Sequence, residues 1–210
     1  MKVIVCYGDS NTWGADPGSD GDRFAHDERW TGVLRSGLGE GYWIIEEGLN
    51  GRTTVWDDPI EGDKSGKAYL APCLETHRPF DLITLMLGTN DTKQRFSLSA
   101  ADIAAGMETL VKLVKRSEAG RDGAAPGILV MAPPPIATLS DYRDMFSGAT
   151  EKSRQLGRLY AKVAADHGCH FFDTGAIIVS SDLDGIHFEK SQHQRLGEAL
   201  VPRIRELLGH

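Results

Sequence analysis

Five short apolar runs alternate along the chain with longer segments in which apolar residues recur every three to four positions. The runs are rich in Ile, Val, Leu and Phe, and they are residues 2–7, 42–47, 81–87, 127–132 and 169–173. Continuous apolar runs of this length are typical of strands that are buried on both faces. The sequence therefore predicts a parallel sheet of five strands joined by helices.

Four of the intervening segments carry one apolar face with the spacing of an α-helix. The faces are formed by Trp30, Val33, Leu34 and Leu38, by Ile103, Met107, Leu110, Val111 and Val114, by Leu156, Leu159, Tyr160 and Val163, and by Leu196, Ala199, Leu200, Ile204, Leu207 and Leu208. Right-handed crossovers place such helices on both faces of a parallel sheet. We expect an α/β fold, a three-layer α/β/α sandwich that is flavodoxin-like, with strand order 2-1-3-4-5 and a single domain at residues 1–210.

Three connections are longer than a minimal fold of this kind requires. They span residues 15–29, 56–78 and 133–150, and they follow the first, second and fourth strands. Long connections within a compact domain are usually functional loops. We expect all three to be loops that gather over the carboxyl edge of the sheet, where open parallel sheets place their chemistry.

Charge and cysteine content exclude several classes of partner. The formal net charge is −7 and no Lys/Arg cluster could neutralise a run of phosphates, so we expect no nucleic-acid partner. The first apolar run is too short for a membrane span or the core of a signal peptide, so we expect no membrane partner. The three cysteines have no metal-type spacing, and their odd number argues against a disulfide framework, which indicates a reducing, cytoplasmic location.

The first apolar run ends at Gly8, and Asp9 and Ser10 follow immediately. A serine at this place is commonly a helix N-cap, but an α/β enzyme also presents a nucleophile at the carboxyl end of a strand. Asp184 and His187 follow the fifth run and are three residues apart. On one turn, the carboxylate can accept from the imidazole Nδ1 and leave Nε2 free for a hydroxyl. The sequence therefore predicts a catalytic triad of Ser10, His187 and Asp184.

Donors for a developing oxyanion follow the two intervening strands. Gly51 comes after the second run, and a residue without a side chain lets its N–H approach a ligand. Asn90 comes after the third run and offers a side-chain amide. Together with the N–H of Ser10, these groups form the predicted oxyanion hole. Taken singly, Gly51 is also interpretable as a turn glycine and Asn90 as a helix N-cap.

These blocks and their order resemble the SGNH (GDSL) hydrolase superfamily. The matching segments are Gly8-Asp9-Ser10, Gly51, Gly88-Thr89-Asn90-Asp91 and Asp184-Gly185-Ile186-His187. A narrower set of segments resembles the bacterial arylesterase/acyltransferase subgroup of that superfamily. These segments are residues 9–14, 29–34, 46–49, 52–54 and 86–93.

The resemblance implies a single SGNH hydrolase domain that cleaves short-chain and aryl esters through an acyl-enzyme, with acyltransferase or perhydrolase side activity. Its partners would be a small-molecule ester and an acyl acceptor, water or an alcohol, and it would need no metal and no organic cofactor. The resemblance also implies a large homo-oligomer, such as an octamer. By the same resemblance, the substrate pocket would be lined by Trp13, Ala15, Thr89, Lys93, Tyr142, Met145, Phe146 and Ile186. Ala15 stands where a relative in the subgroup carries a large aromatic residue, which implies a roomier pocket.

Three other functions stay open at this point. One is an esterase of the same superfamily that acts on acetylated carbohydrates. Another is a phosphatase with Asp9 as its nucleophile, although Asn11 stands where that chemistry needs a second acid. The third is a flavodoxin-like binding module without catalysis, which would leave Asp184 and His187 without a task.

Polar residues around these motifs have structural interpretations. We interpret Asp9 as an acceptor of backbone N–H groups in its own turn, and Asp91 as an acceptor at a helix start. Arg52 is predicted to tie the second connection to a carboxylate such as Asp57 or Asp58.

Overall fold

The sheet has five parallel strands, as the sequence predicts. The computed structural model describes residues 1–19 and 21–209. The strands are β1 (Lys2–Gly8), β2 (Tyr42–Gly48), β3 (Leu82–Met86), β4 (Gly127–Ala132) and β5 (His170–Asp173). Their order across the sheet is β2-β1-β3-β4-β5, and each neighbouring pair is parallel. The predicted strand order is confirmed.

The helices include all four that apolar spacing predicts. The α-helices of the described chain are α1 (Ser10–Trp13), α2 (Trp30–Leu38), α3 (Gly66–His77), α4 (Ala100–Lys115), α5 (Ala149–Asp166) and α6 (Lys190–Leu208). The predicted helices correspond to α2, α4, α5 and α6. Within the two described ranges, no helix is both long enough and apolar enough to cross a membrane.

Successive residues of β1 face two separate apolar cores. Val5 and Tyr7 lie in the core to which α3, α4 and α5 contribute. Ile4 and Cys6 lie in the core to which α2 and α6 contribute. Because both faces of the strand are buried, its sequence is apolar without interruption from Val3 to Tyr7 instead of alternating. Helices on both faces confirm the three-layer sandwich.

The connection 56–78 is not a loop throughout, contrary to the prediction. Its second half is α3, which begins after the N-cap Ser65. Few residues of α3 are buried, and they are Gly66, Leu70, Cys73 and Leu74. Pro72 also lies inside the helix, where it removes a backbone donor. A narrow apolar stripe interrupted by proline does not give the spacing by which the other helices are predicted.

The carboxyl ends of three adjacent strands lie side by side. Gly8 at the end of β1 pairs with Gly48 of β2 and with Met86 of β3. The segments that follow these strands therefore start from neighbouring points on one edge of the sheet. A Cβ atom on Gly48 would lie 2.2 Å from the backbone nitrogen of Trp13, so only glycine allows α1 to pack against the end of β2.

Candidate active site

Ser10 is the first residue of α1, two positions after the end of β1. Asp9 is the N-cap of this helix, and its carboxylate accepts the N–H of Asn11 at 3.0 Å. The structural role predicted for Asp9 is confirmed. Because Asp9 provides the cap, the Ser10 hydroxyl is available for another partner.

The Ser10 hydroxyl meets the loop between β5 and α6. His187 Nε2 lies 2.9 Å from Ser10 Oγ, and His187 Nδ1 lies 2.5 Å from Asp184 Oδ2. The other oxygen of Asp184 accepts the backbone N–H groups of Ile186 and His187 at 2.8 and 2.9 Å. The structure therefore joins the three residues of the predicted triad in one hydrogen-bonded chain.

The surroundings of Asp184 hold this carboxyl in its charged form. Partial burial raises its pKa, but the hydrogen bond and charge of His187, with the two backbone N–H groups, lower it more. The net result is a pKa below the usual value for an aspartate. A charged Asp184 accepts from Nδ1–H and so selects the imidazole tautomer in which Nε2 faces Ser10 as an acceptor.

The predicted oxyanion donors line one cavity with Ser10 and His187. Within the described chain, the backbone N–H groups of Ser10 and Gly51 have no protein acceptor. Asn90 Nδ2 donates one hydrogen to the Arg52 carbonyl at 3.1 Å, which orients the amide and leaves its second hydrogen available. The structure thus brings the three predicted donors together at the nucleophile.

Gly51 occupies a position that suits only glycine. Its φ is +79°, and a Cβ atom would lie 2.4 Å from a carboxylate oxygen of Glu61. Glu61 is held in turn by Lys93, whose Nζ lies 2.6 Å from Glu61 Oε1. The connection after β2 therefore packs directly against the predicted oxyanion donor.

Arg52 does not bind Asp57 or Asp58, contrary to the prediction. Its guanidinium donates to the backbone carbonyl of Gly8 at 2.9 Å and to that of Glu47. A guanidinium with five N–H donors can serve several carbonyls at once. Arg52 thus ties the ends of β1 and β2 together, next to the residues that carry Ser10 and Gly51.

Asp91 lies in the first turn of a short 3₁₀ helix, Asn90–Thr92, as predicted, but the partners of its carboxylate lie in another segment of the chain. Its carboxylate accepts the backbone N–H of Thr54, at 3.1 and 3.0 Å to its two oxygens, and the Thr54 hydroxyl. Burial raises the pKa of both Asp91 and Asp9 to about 6. Asp91 connects two segments of the chain beside the site, Asp9 caps α1, and neither lines the cavity.

The cavity at Ser10 has a volume of about 710 Å³, and each of the three long connections contributes to its wall, as predicted. Most of the predicted substrate pocket lines it, namely Trp13, Ala15, Lys93, Tyr142, Met145, Phe146 and Ile186. Thr89 does not line it. That residue lies in the turn after β3, where it is buried and its carbonyl accepts from the Thr92 hydroxyl at 2.6 Å.

Residues 6–195 match the GDSL-like lipase/acylhydrolase family. The chain belongs to this family. The matched range contains the segment around Ser10, the turns that carry Gly51 and Asn90, and the loop that carries Asp184 and His187. The resemblance seen in the sequence is confirmed.

Solved structures of esterases are similar to this GDSL-like chain over its whole length. A carbohydrate acetylesterase from Sinorhizobium meliloti is 41% identical, with 99% of this chain and 100% of that chain covered and a TM-score of 0.95. An aryl esterase from M. smegmatis is 44% identical, with the same coverage and a TM-score of 0.94. An acetylxylan esterase from Xylanibacter ruminicola is 24% identical over 96% of this chain, which spans only 43% of that relative's length.

Family and neighbours together identify this GDSL-like protein as a carboxylic ester hydrolase. The phosphatase interpretation fails on the position of Asp9, which is buried as the cap of α1 and does not line the cavity. The binding-module interpretation leaves the contact between Ser10 and His187 unexplained.

The cavity of this GDSL-like hydrolase also has polar wall residues that no sequence motif marks. They are Asp16, Ser19, Asp22, Asn50, Glu61, Ser140 and Asp141. Each lies in or beside a long connection, but no local spacing distinguishes it from other polar loop residues. The sequence signal that indicates these residues is the position of the long connections after the strands. Loops at the carboxyl edge of a parallel sheet surround its functional site.

Lys93 lines the cavity, but its charge is compensated inside the protein. Its Nζ lies 2.6 Å from Glu61 Oε1 and 3.4 Å from Asp58 Oδ2, and Arg95 binds Asp58 at 2.9 Å. Burial raises the pKa of Asp58, but backbone N–H groups and these two cations lower it to about 2. Because two acids already bind the ammonium, Lys93 suits a neutral ester better than an anionic substrate.

Among the described residues, three potential metal ligands converge only at Glu47, Cys73 and His77. None of them lines the cavity. His77 Nε2 is already paired with Glu47 at 2.6 Å, and burial raises the pKa of Cys73 to about 12, which keeps the thiol protonated. This cluster supplies no ligand to the chemistry at Ser10.

Proposed function

We propose that the protein is a serine esterase that hydrolyses short-chain acyl esters, aryl esters among them, through an acyl-enzyme intermediate on Ser10. The observation that carries the proposal is the chain of contacts from Asp184 through His187 to Ser10, beside three donors in one cavity. The aryl esterase from M. smegmatis among the similar structures supports this substrate class.

Acylation begins when Ser10 Oγ attacks the carbonyl carbon of the ester. His187 Nε2 accepts the hydroxyl proton across the 2.9 Å contact, and Asp184 stabilises the imidazolium that forms. The carbonyl oxygen becomes an oxyanion, which the N–H groups of Ser10 and Gly51 and the amide of Asn90 stabilise. Each donor of this kind typically contributes a factor of about 10²–10³ in rate. His187 then protonates the departing alcohol.

Deacylation repeats these steps with water as the nucleophile. His187 takes a proton from the water, the same donors hold the second oxyanion, and Ser10 leaves with the proton from His187. An alcohol or a peroxide in place of water gives acyl transfer. Efficient transfer needs a dry alcohol site, and the polar wall of this cavity favours hydrolysis, so we infer that transfer is a side reaction.

An esterase for acetylated carbohydrates is the second candidate. The carbohydrate acetylesterase from Sinorhizobium meliloti among the similar structures favours it, as do the polar residues of the cavity wall. Carboxylate and hydroxyl groups at the mouth of a pocket suit a sugar, whose hydroxyls need hydrogen-bond partners. Both candidates use the same chemistry at Ser10 and differ in the alcohol that leaves.

We further infer the setting in which the enzyme works. Its partners are a small ester and an acyl acceptor, and its cysteines, all free, support a reducing, cytoplasmic compartment. Exposed large apolar side chains, including Trp43 and Ile60, support a homo-oligomer. The expected size, an octamer, comes from the resemblance to the arylesterase/acyltransferase subgroup. Light scattering during size exclusion tests the assembly, and a monomer would contradict it.

A series of 4-nitrophenyl esters of increasing chain length, run with and without an organophosphonate, tests the proposed function. We expect the highest kcat/KM for acetate or another short acyl group, and complete inhibition with one phosphonyl group on Ser10 by mass spectrometry. Ester hydrolysis that survives full phosphonylation, or labelling at another residue, would contradict the mechanism. A parallel series of acetylated sugars, compared by kcat/KM, decides between the two leaving alcohols.

A further inference from the structure

Asn11, the residue after Ser10, binds the loop that carries His187. Asn11 Nδ2 donates to the carbonyl of Ile186 at 3.2 Å, and Phe188 N–H donates to Asn11 Oδ1 at 3.1 Å. Both bonds are buried, and Asn11 is 2% exposed. One amide therefore binds the two peptide groups on either side of His187, and these partners fix which end of the amide is oxygen and which is nitrogen.

The loop has its own hydrogen bonds, which fix its shape. The N–H of His187 donates to Asp184, and its carbonyl accepts the N–H of Ser181 at 2.8 Å. These bonds stay within the loop and do not determine its distance from α1. In the described chain, the hydrogen bonds between this loop and α1 are the contact of His187 with Ser10 and the two bonds of Asn11.

We propose that Asn11 is a positioning residue for the ester hydrolysis, because its side-chain amide binds the backbone on both sides of His187 and so sets the distance between the imidazole and Ser10. The inference rests on the proposed function, in which His187 takes the proton of Ser10. Asn11 itself is buried and does not line the cavity.

Buried packing alone does not replace these bonds. Ile186 and Phe188 are both buried, so their peptide groups lose water when the loop docks, and each needs a partner inside the protein. Proton transfer between Ser10 and His187 requires a heavy-atom distance near 3 Å, and a displacement of 1 Å can cost a factor of about 10² in rate. Asn11 is the residue next to Ser10, so its side-chain amide ties the loop of His187 to the backbone beside the nucleophile. It therefore controls the distance between His187 and Ser10.

At the fourth position of the motif that names the family, this chain carries a different residue. In one-letter code, GDSL spells Gly-Asp-Ser-Leu, and this chain has Asn11 at the fourth position. A leucine cannot donate to Ile186 or accept from Phe188. The substitution Asn11→Leu therefore restores the residue in the family name and removes both bonds.

The test compares four variants with the wild type: Asn11→Leu, Asn11→Ala, Ser10→Ala and Gln192→Leu. Gln192 is the matched control, because its amide oxygen also accepts a backbone N–H, that of Val179 at 3.2 Å, yet it lies outside the cavity. Asn11→Ala leaves room for a water beside the two peptide groups and covers the case in which Asn11→Leu does not fold. The measurements are kcat and KM for 4-nitrophenyl acetate, the rate constant of phosphonylation, and the low-field proton resonance of the His187–Asp184 bond.

We expect Asn11→Leu to lower kcat about 10–100-fold, with KM changed less than about twofold, and to slow phosphonylation by the same factor. Asn11→Ala should show the same pattern with a smaller loss. The low-field resonance should persist in both, because that bond lies within the loop. Gln192→Leu should keep kcat within about twofold of the wild type.

The inference is overturned if kcat of both Asn11 variants stays within twofold of the wild type, or if only KM changes. It is also overturned if the low-field resonance disappears, because the side chain would then maintain the loop itself and not its distance from Ser10. Ser10→Ala separates this failure from that of the proposed function. If Ser10→Ala keeps full activity, the proposed mechanism is wrong. If Ser10→Ala is inactive while both Asn11 variants keep full activity, only the positioning role is contradicted.

Discussion

The inner and outer walls of the cavity are built in different ways. The inner wall is formed by the predicted triad and oxyanion donors, which are Ser10, Gly51, Asn90, Asp184 and His187. The outer wall consists of polar loop residues, which are Asp16, Ser19, Asp22, Ser140 and Asp141. Ser10, Gly51 and Asn90 lie within four residues of a strand end, whereas Asp184 and His187 lie in the loop before α6, where Asp184 holds the His187 ring toward Ser10. Outer-wall groups are more exposed and lie in long connections.

This difference separates two requirements of an esterase. The chemical step needs atoms fixed within tenths of an ångström, which buried hydrogen bonds at strand ends supply. The choice of alcohol needs only compatible polarity at the mouth, which exposed loops can supply. We therefore expect substitutions in the inner wall to lower kcat, and substitutions in the outer wall to change KM and substrate preference.

Removal of the nucleophile should give the largest effect. Ser10→Ala or His187→Ala should lower kcat at least about 10⁴-fold, and the double variant should lose scarcely more, because the pair acts as a unit. Steady-state kinetics with 4-nitrophenyl acetate measures this. Ser140→Ala is the matched control from the outer wall, and it should keep kcat within about threefold. Losses that multiply in the double variant would contradict the coupling of the two residues.

Removal of one oxyanion donor should give the second largest effect. Asn90→Ala should lower kcat about 10²–10³-fold with a smaller change in KM, because the amide acts on charge that develops in the transition state. Asn50 lines the same cavity from an exposed position, so Asn50→Ala is the matched control and should change kcat little. A defect of Asn90→Ala in KM alone would place this amide in ground-state binding.

The sequence predicts the inner wall well because its residues have fixed places relative to the strands. Each apolar run marks a strand, parallel strands end at one edge, and the polar residue that follows must then lie near its counterparts. The placement of Ser10, Gly51 and Asn90 needs no knowledge of side-chain packing. The motif Asp184-Gly185-Ile186-His187 likewise specifies its own internal hydrogen bonds.

The errors of prediction concern side chains whose partners are distant in sequence. Arg52 binds the carbonyl of Gly8, 44 residues away, and Asp91 binds Thr54, 37 residues away. Nothing in the local pattern distinguishes these partners from other nearby polar groups. Both Asn11 bonds, across 175 and 177 residues, escape prediction for the same reason.

A buried histidine, His193, packs beside the inner wall, and it should make the free energy of unfolding depend on pH. His193 is fully buried and lies edge-on to Phe188, the residue after His187, with ring centroids 5.4 Å apart. Burial, with the charges of His187 and Arg29, lowers the pKa of His193 to about 3. The pKa of a histidine in the unfolded chain is about 6.5. At pH values between these two pKa values, His193 is protonated in the unfolded state only. The stability that a neutral His193 contributes is therefore present above about pH 6.5 and is lost as the pH falls toward 3.

Urea unfolding of the wild type and of His193→Gln at pH 7 and pH 5 measures this contribution. In the wild type, the N–H of Trp30 donates to His193 Nδ1 at 3.3 Å. A glutamine keeps an acceptor for this N–H but cannot titrate. We expect the free energy of unfolding of the wild type, relative to the variant, to fall by about 2 kcal/mol between these pH values. A constant difference would show that His193 is charged, or exposed, in the folded protein.

The smallest effect is expected for Asp141→Asn in the outer wall. The carboxylate of Asp141 is exposed, so its loss should leave kcat for 4-nitrophenyl acetate unchanged and alter KM less than about threefold. Asp144→Asn, in the same connection but outside the cavity, is the matched control. If the natural ester is an acetylated sugar, Asp141→Asn should raise KM for that sugar more than for the aryl ester, because only the sugar has hydroxyls to donate to the carboxylate. Equal changes for both substrates would favour the aryl ester, and a fall in kcat would show that the two walls are not independent.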